Sequence, residues 1–171
     1  VRHRDGVKTI NQRTSDSFSA TVECWTYPPL LSNPRSMFDL AYRTQTSNGY
    51  EIHIVYNALA HVTGAQYTQD EASPLTFDIW TRPRAMPLKR MPTAHLVVDS
   101  SEAYPPVVAA FEDVLYGTVD HEPRFPDPEE IFTIFDVNSL YQVIDNGDGT
   151  FTLEAPDGVF EWLEATKFHV D

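Results

Sequence analysis

The sequence predicts an α+β domain built mainly from antiparallel strands, and three observations support this. Short stretches throughout the chain alternate apolar and polar residues, which is the period of a strand with one buried face. Two pairs of these stretches flank Asn-Gly turns, which favour tight antiparallel reversals. One stretch that begins at Pro105 and stops before Gly117 has apolar residues at helical spacing. A helix this short is unstable alone, so we expect it to lie against a sheet.

Composition and cysteine content limit the class of protein. The 171 residues are 42% hydrophobic and 22% charged, which is enough apolar material for one globular core. No apolar run approaches the roughly 20 residues that span a bilayer, and no charged-then-apolar signal segment opens the chain. We therefore expect no membrane partner. The single cysteine, Cys24, excludes disulfides and cysteine zinc sites within the chain, and it lies on the apolar face of a predicted strand as a small hydrophobe.

Charge is distributed unevenly along the chain, whose net charge is −13. Residues 1–90 contain ten Lys or Arg and eight Asp or Glu, for a net +2, whereas residues 91–171 contain two and seventeen, for a net −15. Such an acidic surface repels a phosphate backbone, which argues against nucleic-acid binding through lysine and arginine contacts. It is compatible with a surface past which DNA slides.

The first ninety residues predict four strands, at 18–25, 37–43, 50–57 and 75–80. Residues 1–17 are polar and predict an arm or an edge segment. Pro28 and Pro29 take the chain out of the sheet, because proline lacks the donor that a strand ladder needs. Asn48 and Gly49 join the second and third strands as a hairpin.

Two connections in this half are longer than turns. Residues 58–74 show weak apolar order, and a loop this long in a compact domain is usually functional or mobile. Residues 82–92 contain three prolines, each of which fixes φ and interrupts regular pairing. This basic excursion lacks the interleaved aromatics with which single-strand nucleic-acid binders stack bases, so it suits an arm that docks on an acidic neighbour. Its four cations are Arg82, Arg84, Lys89 and Arg90.

A strand–helix unit follows the basic excursion. Ser100 and Ser101 are expected to cap the helix. Pro105 and Pro106 suit its first turn, and Gly117 is expected to end it. The strand residues predicted to be buried are Ala94, Leu96 and Val98. The helix residues predicted to be buried are Val107, Ala110, Phe111, Val114 and Leu115.

The last part of the chain predicts a second helix, a second hairpin and a short helical turn. Asp127 is the expected N-cap of the second helix, with Pro128 as its first residue and Glu130 as the capping-box partner. The hairpin joins 140–144 to 150–154, the helical turn covers 159–165, and a last strand covers 167–170.

The sequence contains none of the usual catalytic constellations. It has no phosphate-binding loop and no Gly-x-Ser-x-Gly motif. Adjacent carboxylates such as Glu112 and Asp113 point about 100° apart on a helix, so they cannot converge on one substrate atom. The segment 145–149 has glycine at two calcium-ligand positions, and we interpret it as a hairpin turn. We therefore expect no enzymatic activity, no cofactor and no metal ligand.

Two of the histidines leave two alternatives open. The six histidines do not pair at metal-ligand spacing, and solvated or interfacial side chains are the preferred interpretation. His53 and His95 are predicted to lie mid-strand, opposite the buried face, so a zinc site assembled in three dimensions is an alternative. A small β-rich hydrolase is a further hypothesis, which requires one of these two residues to meet two carboxylates in a pocket.

Four segments resemble the tail tube proteins of long-tailed, non-contractile bacteriophages, a group that includes major and minor tail proteins. They are DSFSATVECWTYPPLL from Asp16, MFDLAYRTQTSNGYEIHIVYNALA from Met37, PTAHLVVDSSEAYPPVVAAFEDVLYGT from Pro92 and EPRFPDPEEIFTIF from Glu122. The resemblance covers about residues 9–135. Its most specific part is 111–117 together with Pro123, Arg124 and Pro126.

The resemblance implies an antiparallel β sandwich or partial barrel with one flanking helix. It implies a tail-tube-like domain at 1–135, whereas the small β-rich extension that the strand pattern predicts at 136–171 goes beyond a minimal tube subunit. It also implies six-fold rings around a channel through which the genome passes without specific binding. The implied partners are copies of the chain, the tape measure and tail-tip proteins, in a virion tail made in the host cytoplasm. A distal tail ring is an alternative to the repeating tube subunit.

A second class of function is a soluble ligand- or carbohydrate-binding β module of a tail tip. A row of exposed aromatic side chains on one concave face would support that alternative.

Two expectations concern contacts between subunits. The loop 58–74 is expected to order against a neighbour through Val62 and Tyr67. Copies with a charge of −13 repel one another unless positive segments face negative ones, so the basic excursion is expected to meet the acidic helical region. Changing Arg82 and Arg84 together to glutamate is expected to leave the monomer folded. The predicted interface residues are Tyr67, Arg82, Arg84, Lys89, Arg90, Glu112 and Asp113.

Overall fold

The computed structural model describes residues 3–4, 7–8, 13–25, 36–64, 75–86 and 91–165. Internal contacts divide the chain into two compact units. The first unit contains residues 1–12, 45–51 and 98–171, and the second contains residues 13–44 and 52–97. The domain boundary expected after residue 135 stays a prediction.

The described residues form ten strands and three α-helices, which confirms the predicted α+β class with mainly antiparallel pairing. In the described part of the chain the sheets do not close into a barrel, and no helix is long and apolar enough to cross a membrane. The strands are β1 His3–Arg4, β2 Val7–Lys8, β3 Arg13–Ser15, β4 Ser19–Cys24, β5 Phe38–Thr46, β6 Gly49–Gly64, β7 Leu75–Thr81, β8 His95–Asp99, β9 Gln142–Asp145 and β10 Phe151–Glu154. The helices are α1 Pro105–Tyr116, α2 Pro128–Ile134 and α3 Val159–Ala165.

The main sheet has the strand order β3-β8-β6-β7-β4, and β5 also pairs with β6. Strand β7 is antiparallel to both β4 and the second half of β6. Apolar residues of these strands form a core cluster. Cys24 packs against this cluster, which confirms the prediction that it acts as a small hydrophobe. The buried members of the cluster are Val55, Ala58, Ala60, Phe77 and Ile79.

Strand β6 is longer than the sequence predicts. The sequence predicts a long loop at 58–74. This prediction is wrong for residues 58–64, because they pair in antiparallel register with β7. Val62, which was expected to order against a neighbouring subunit, packs against the core cluster. Tyr67 and the rest of the expected loop lie outside the described residues.

A left-handed residue inside β6 shifts the phase of the strand. Asn57 has a φ of 51°, a value that asparagine tolerates better than most residues do. Its backbone N–H donates to Oδ1 of Asp39 at 2.7 Å. Val55 and Ala58 both belong to the core cluster although they are an odd number of residues apart, so the alternation changes between them, as at a bulge.

Helix α1 begins and ends where the sequence predicts. Pro105 is its first residue, and Gly117 is its C-cap with a φ of 79°. A Cβ atom on Gly117 would lie 2.9 Å from the backbone oxygen of His121, so glycine also permits a close approach here. The predicted serine caps are wrong, because the chain first makes a 3₁₀ turn at Ser100–Glu102 that Asp99 caps. No side chain caps α1 itself.

The buried side of α1 is narrower than predicted. Phe111 and Leu115 are buried as expected, and Val108 joins them. The ring of Phe111 meets that of Phe135 edge-on, with centroids 5.1 Å apart. Three residues of the predicted buried side border an open groove instead, and they are Val107, Ala110 and Val114.

Helix α2 begins at Pro128 as predicted, but only part of the expected capping box forms. The side chain of Asp127 makes no cap hydrogen bond. Glu130 instead accepts a hydrogen bond of 2.9 Å from Nη1 of Arg124. This pairing is the main reason why the pKa of Glu130 is lowered, and the backbone N–H of Asp127 contributes to the same shift.

The hairpin predicted around residues 145–149 is confirmed as the β9–β10 pair. Oδ1 of Asp145 accepts from the Gly147 N–H at 2.8 Å, and Oδ1 of Asp148 accepts from the Thr150 N–H at 2.9 Å. These bonds use both carboxylates to form the turn. Helix α3 confirms the short helical turn, and the strand predicted at 167–170 lies outside the described residues.

Candidate functional site

An open groove of about 890 Å³ runs along α1 in the first unit. One wall is the helix face that carries Val107, Ala110 and Val114. The opposite wall is the chain that enters β9 and leaves β10. We call this cavity the α1 groove. Its aromatic and proline lining residues are Tyr104, Pro106, Phe111, Tyr141 and Pro156.

The α1 groove is mainly apolar and has an acidic border. The hydroxyl of Tyr104 donates to the backbone carbonyl of Asp157 at 3.1 Å, and its ring meets Trp162 with centroids 5.4 Å apart. Glu154 and Asp157 are exposed carboxylate residues at the border. Among the described lining residues none is histidine or cysteine. The groove therefore offers a binding surface for an apolar segment, with no histidine base or thiol nucleophile.

The β9–β10 hairpin exposes an apolar face. Val143 pairs with Leu153. Phe151 pairs with Asp145 two pairs further along, and therefore lies on the same face. Val143, Leu153 and Phe151 are 58%, 42% and 64% exposed. A two-stranded hairpin is marginally stable in water, and contiguous exposed apolar side chains mark an interaction site. We call these three residues the apolar hairpin face.

The basic excursion is fixed at its base in the second unit. Arg84 and Thr93 form an antiparallel bridge with backbone hydrogen bonds of 2.8 and 2.9 Å. Arg84 also donates to Asp39 at 3.0 Å and lies over the ring of Tyr56, 4.7 Å from its centroid. Residues 85–92, which we call the basic loop, therefore start and end at neighbouring points.

The predicted interface residues fall into three groups. Arg82 and Asp113 are exposed, as expected. Arg84 is only partly exposed and is held within its own unit by Asp39 and Tyr56, so the premise that its charge is exposed is wrong. That the double variant of Arg82 and Arg84 leaves the monomer folded stays a prediction. Glu112 is half-buried and accepts a hydrogen bond of 3.2 Å from the hydroxyl of Tyr50, a partner 62 residues away that local spacing could not indicate. The predicted residues outside the described part of the chain are Tyr67, Lys89 and Arg90.

His53 and His95 meet on the main sheet. Nδ1 of His53 and Nε2 of His95 are 3.0 Å apart, and the Thr44 hydroxyl is 2.9 Å from the other nitrogen of His53. The His53 ring stacks on Tyr42 with centroids 4.5 Å apart, and His95 meets Phe18. The histidines lie opposite the predicted buried face, because they alternate with Ile52, Ile54 and Leu96, which are fully buried. Their own face is partly covered by Phe18 and Tyr42, which also pack against the core cluster.

This environment lowers the pKa of His95 to about 4. Burial of the ring is the largest cause, followed by repulsion from His53 and Arg13. The zinc and hydrolase alternatives require more ligating or acidic groups around the pair. Within the described ranges, no three His, Cys, Asp or Glu residues are grouped so that they could hold a metal ion.

Exposed aromatic residues are scattered through the described elements. Trp25 follows β4, Trp80 lies in β7, Tyr116 ends α1 and Phe151 lies in β10. Trp80 has His61 beside it, with ring centroids 6.3 Å apart. These side chains lie in or beside different elements, and the carbohydrate-binding alternative stays a prediction. Comparisons of the chain with protein-family models, curated proteins and solved structures find no match.

Proposed function

We propose that this chain is a structural protein of a bacteriophage tail that assembles with its own copies into hexameric rings. The rings stack as the tail tube or form part of the tail tip, and they enclose the channel for DNA ejection. The four segments that resemble tail tube proteins support this proposal, and the mainly antiparallel α+β fold is compatible with it. The structural observation that carries it is the apolar hairpin face.

The apolar hairpin face favours assembly because it needs a covering surface. The hairpin has no third strand among the described residues, and its three large apolar side chains stay in contact with water. Removing apolar surface from water contributes roughly 25 cal/mol per Å². Every copy in a ring carries the same surface, so a closed assembly can cover all of them.

The charge distribution supports a channel for DNA. Residues 91–171 carry a net charge of −15, and the hairpin turn adds Asp145 and Asp148 at exposed positions. An acidic channel repels the phosphate backbone, so the genome passes without adhering. In the virion, the proteins that the chain binds are then its own copies, the tape measure and tail-tip proteins. No catalytic step belongs to this function.

Self-association of the purified full chain tests the proposal directly. Size-exclusion chromatography with light scattering measures the mass over a range of protein and salt concentrations, and negative-stain electron microscopy shows the shape of any assembly. We expect rings or tubes whose mass is a multiple of six subunits. A chain that stays monomeric under every condition would contradict the proposal, and rings of another symmetry would correct the subunit number.

A further inference from the structure

The α1 groove and the basic loop have complementary chemistry. The groove is lined by aromatic, proline and aliphatic side chains, with Glu154 and Asp157 at its border. The basic loop combines apolar side chains, prolines and two cations within eight residues. Its residues are Ala85, Met86, Pro87, Leu88, Lys89, Arg90, Met91 and Pro92.

We propose that the α1 groove of one copy receives the basic loop of a second copy. This inference rests on the proposed self-assembly and names two surfaces that meet in it. In this contact the apolar side chains of the loop fill the groove, and its cations lie beside the carboxylates of the border. The sequence indicates only that the basic excursion meets the acidic helical region of a neighbour. In this proposal, the part of that region that it contacts is the α1 groove.

Charge favours the basic loop as the occupant. Residues 91–171, which supply every lining residue of the groove, contain two cations against seventeen acidic residues. Such a region repels acidic segments and attracts a cationic one. Residues 82–90 contain four of the twelve Lys and Arg residues of the chain, and they immediately precede or belong to the loop. The basic loop of a second copy therefore has a charge that complements the groove.

The apolar part of the loop fits the same groove. Met91 is 74% exposed, and burial of its flexible thioether side chain would be favourable. Proline-rich segments bind aromatic-lined grooves well, because proline limits the conformations that are lost on binding. The cavity volume of about 890 Å³ is comparable with sites that enclose a drug-sized molecule, so a few side chains can enter it.

The fixed base of the loop lowers the cost of docking. The backbone bonds between Arg84 and Thr93, and the ion pair of Arg84 with Asp39, hold both ends in place. A loop with fixed ends loses less conformational entropy on binding than a free peptide does. The loop should therefore bind more tightly as part of the protein than as an isolated peptide.

Two neighbouring alanines of α1 provide matched variants. Ala109 and Ala110 are both exposed, but only Ala110 lines the groove. Ala110→Arg places a bulky cation in the groove without removing a core side chain, and Ala109→Arg adds the same charge outside it. Thermal unfolding should show that both variants remain folded, since arginine and alanine are both good helix formers.

A synthetic peptide with the sequence of residues 82–92 is the probe. It is titrated by calorimetry into the full chain, at a protein concentration below that of assembly. We expect Ala110→Arg to weaken binding at least about tenfold, and Ala109→Arg to change it less than about twofold. A peptide carrying Lys89→Glu and Arg90→Glu should lose affinity for the wild type and regain it for Ala110→Arg. Equal binding to both variants, or no binding together with equal assembly of both variants, would overturn the inference.

Assembly of the same variants separates this inference from the proposed function. Rings formed by the wild type and Ala109→Arg, but not by Ala110→Arg, would support both. Rings formed equally by all three would overturn the groove contact and leave the tail function standing. A wild-type chain that forms no rings would contradict the tail function, and the peptide titration would still decide whether the groove binds the loop.

Discussion

His95 is the residue whose surroundings change its chemistry most clearly. Its pKa is about 4, because burial and the neighbouring His53 and Arg13 disfavour the protonated ring. In the unfolded chain an ordinary histidine takes up its proton near pH 6.5. The unfolded state therefore binds more protons between pH 6.5 and 4. By linkage, this group leaves the unfolding free energy unchanged above that window and lowers it as the pH falls through the window.

We expect this group to cost the wild-type chain roughly 1–2 kcal/mol of unfolding free energy between pH 6.5 and 4. The full pKa difference would give more, but the ring is partly exposed and water screens the effect. His95→Gln should flatten this part of the profile, since glutamine does not titrate. Urea unfolding at a series of pH values measures both proteins. A variant profile as steep as that of the wild type would assign the acid sensitivity to other groups.

Phe111 tests the packing of the first unit. Its side chain is fully buried and meets Phe135 edge-on. Phe111→Ala should lower the unfolding free energy by about 3–5 kcal/mol, through lost apolar burial and the cavity that remains. Val107→Ala is the control, and it should cost less because Val107 is half-buried at the groove. Chemical denaturation measures both, and a loss below about 1 kcal/mol for Phe111→Ala would contradict this account of the core.

Single residues were predictable where their role is local. Gly117 could be predicted as a helix end, because glycine readily adopts the positive φ that ends a helix. The partner of Arg84 could not, because Asp39 lies 45 residues away and no local period connects them. The same holds for Glu112 and Tyr50, which lie 62 residues apart. The candidate site residues were chosen by charge. They therefore included Arg84 and Glu112, whose side chains already form contacts within the chain.

At the scale of whole elements, the prediction concerns the contribution of the β9–β10 hairpin to assembly. Val143→Ser, Phe151→Ser and Leu153→Ser together should leave the free energy of unfolding within about 1 kcal/mol of wild type, because exposed side chains contribute little to the folded monomer. The same triple variant should lose ring formation, since its apolar hairpin face has become polar. Chemical denaturation and light scattering measure the two effects separately.

The opposite face of the hairpin provides the matched control. Ile144 and Thr152 pair with each other and point away from the apolar hairpin face. Ile144→Ser removes one apolar side chain from the same hairpin and should leave assembly close to wild type. Assembly that survives the triple variant would exclude the hairpin as a contact between copies. Equal loss in the control would indicate that the hairpin fold itself was damaged.

Elements could be predicted where turn chemistry and apolar period agree. Both hairpins follow from this rule, because Asn48-Gly49 and Asn146-Gly147 each mark a reversal between alternating segments. The first turn itself is formed by Ser47 and Asn48, and Gly49 already begins β6. The second half of β6 was not predicted, for two reasons. Its inward residues include the small Ala58 and Ala60, which give a weak apolar signal, and Asn57 shifts the alternation. The α1 groove was also missed, because its two walls come from segments that are separate in sequence.

At the scale of the whole molecule, net charge decides how copies can meet. Each copy carries −13, so two copies repel unless a cationic surface of one faces an acidic surface of the other. This requirement was visible in the sequence, because the imbalance between residues 1–90 and 91–171 is a matter of counting. Which cations are free to meet a partner was not visible. The structure leaves Arg82 exposed and engages Arg84 with Asp39 and Tyr56.

Arg82 is therefore the cation whose removal should affect assembly without affecting the fold. Arg82→Gln changes the net charge to −14, and Ser19→Glu reaches the same net charge at an exposed position of β4. Both monomers should unfold like the wild type, because exposed charges contribute little to stability. Arg82→Gln alone should weaken ring formation at about 0.05 M salt. The difference between the two variants should shrink toward about 0.5 M, where the screening length is roughly threefold shorter. Equal assembly of both variants at low salt would show that repulsion between whole subunits, and not a contact of Arg82, governs their association.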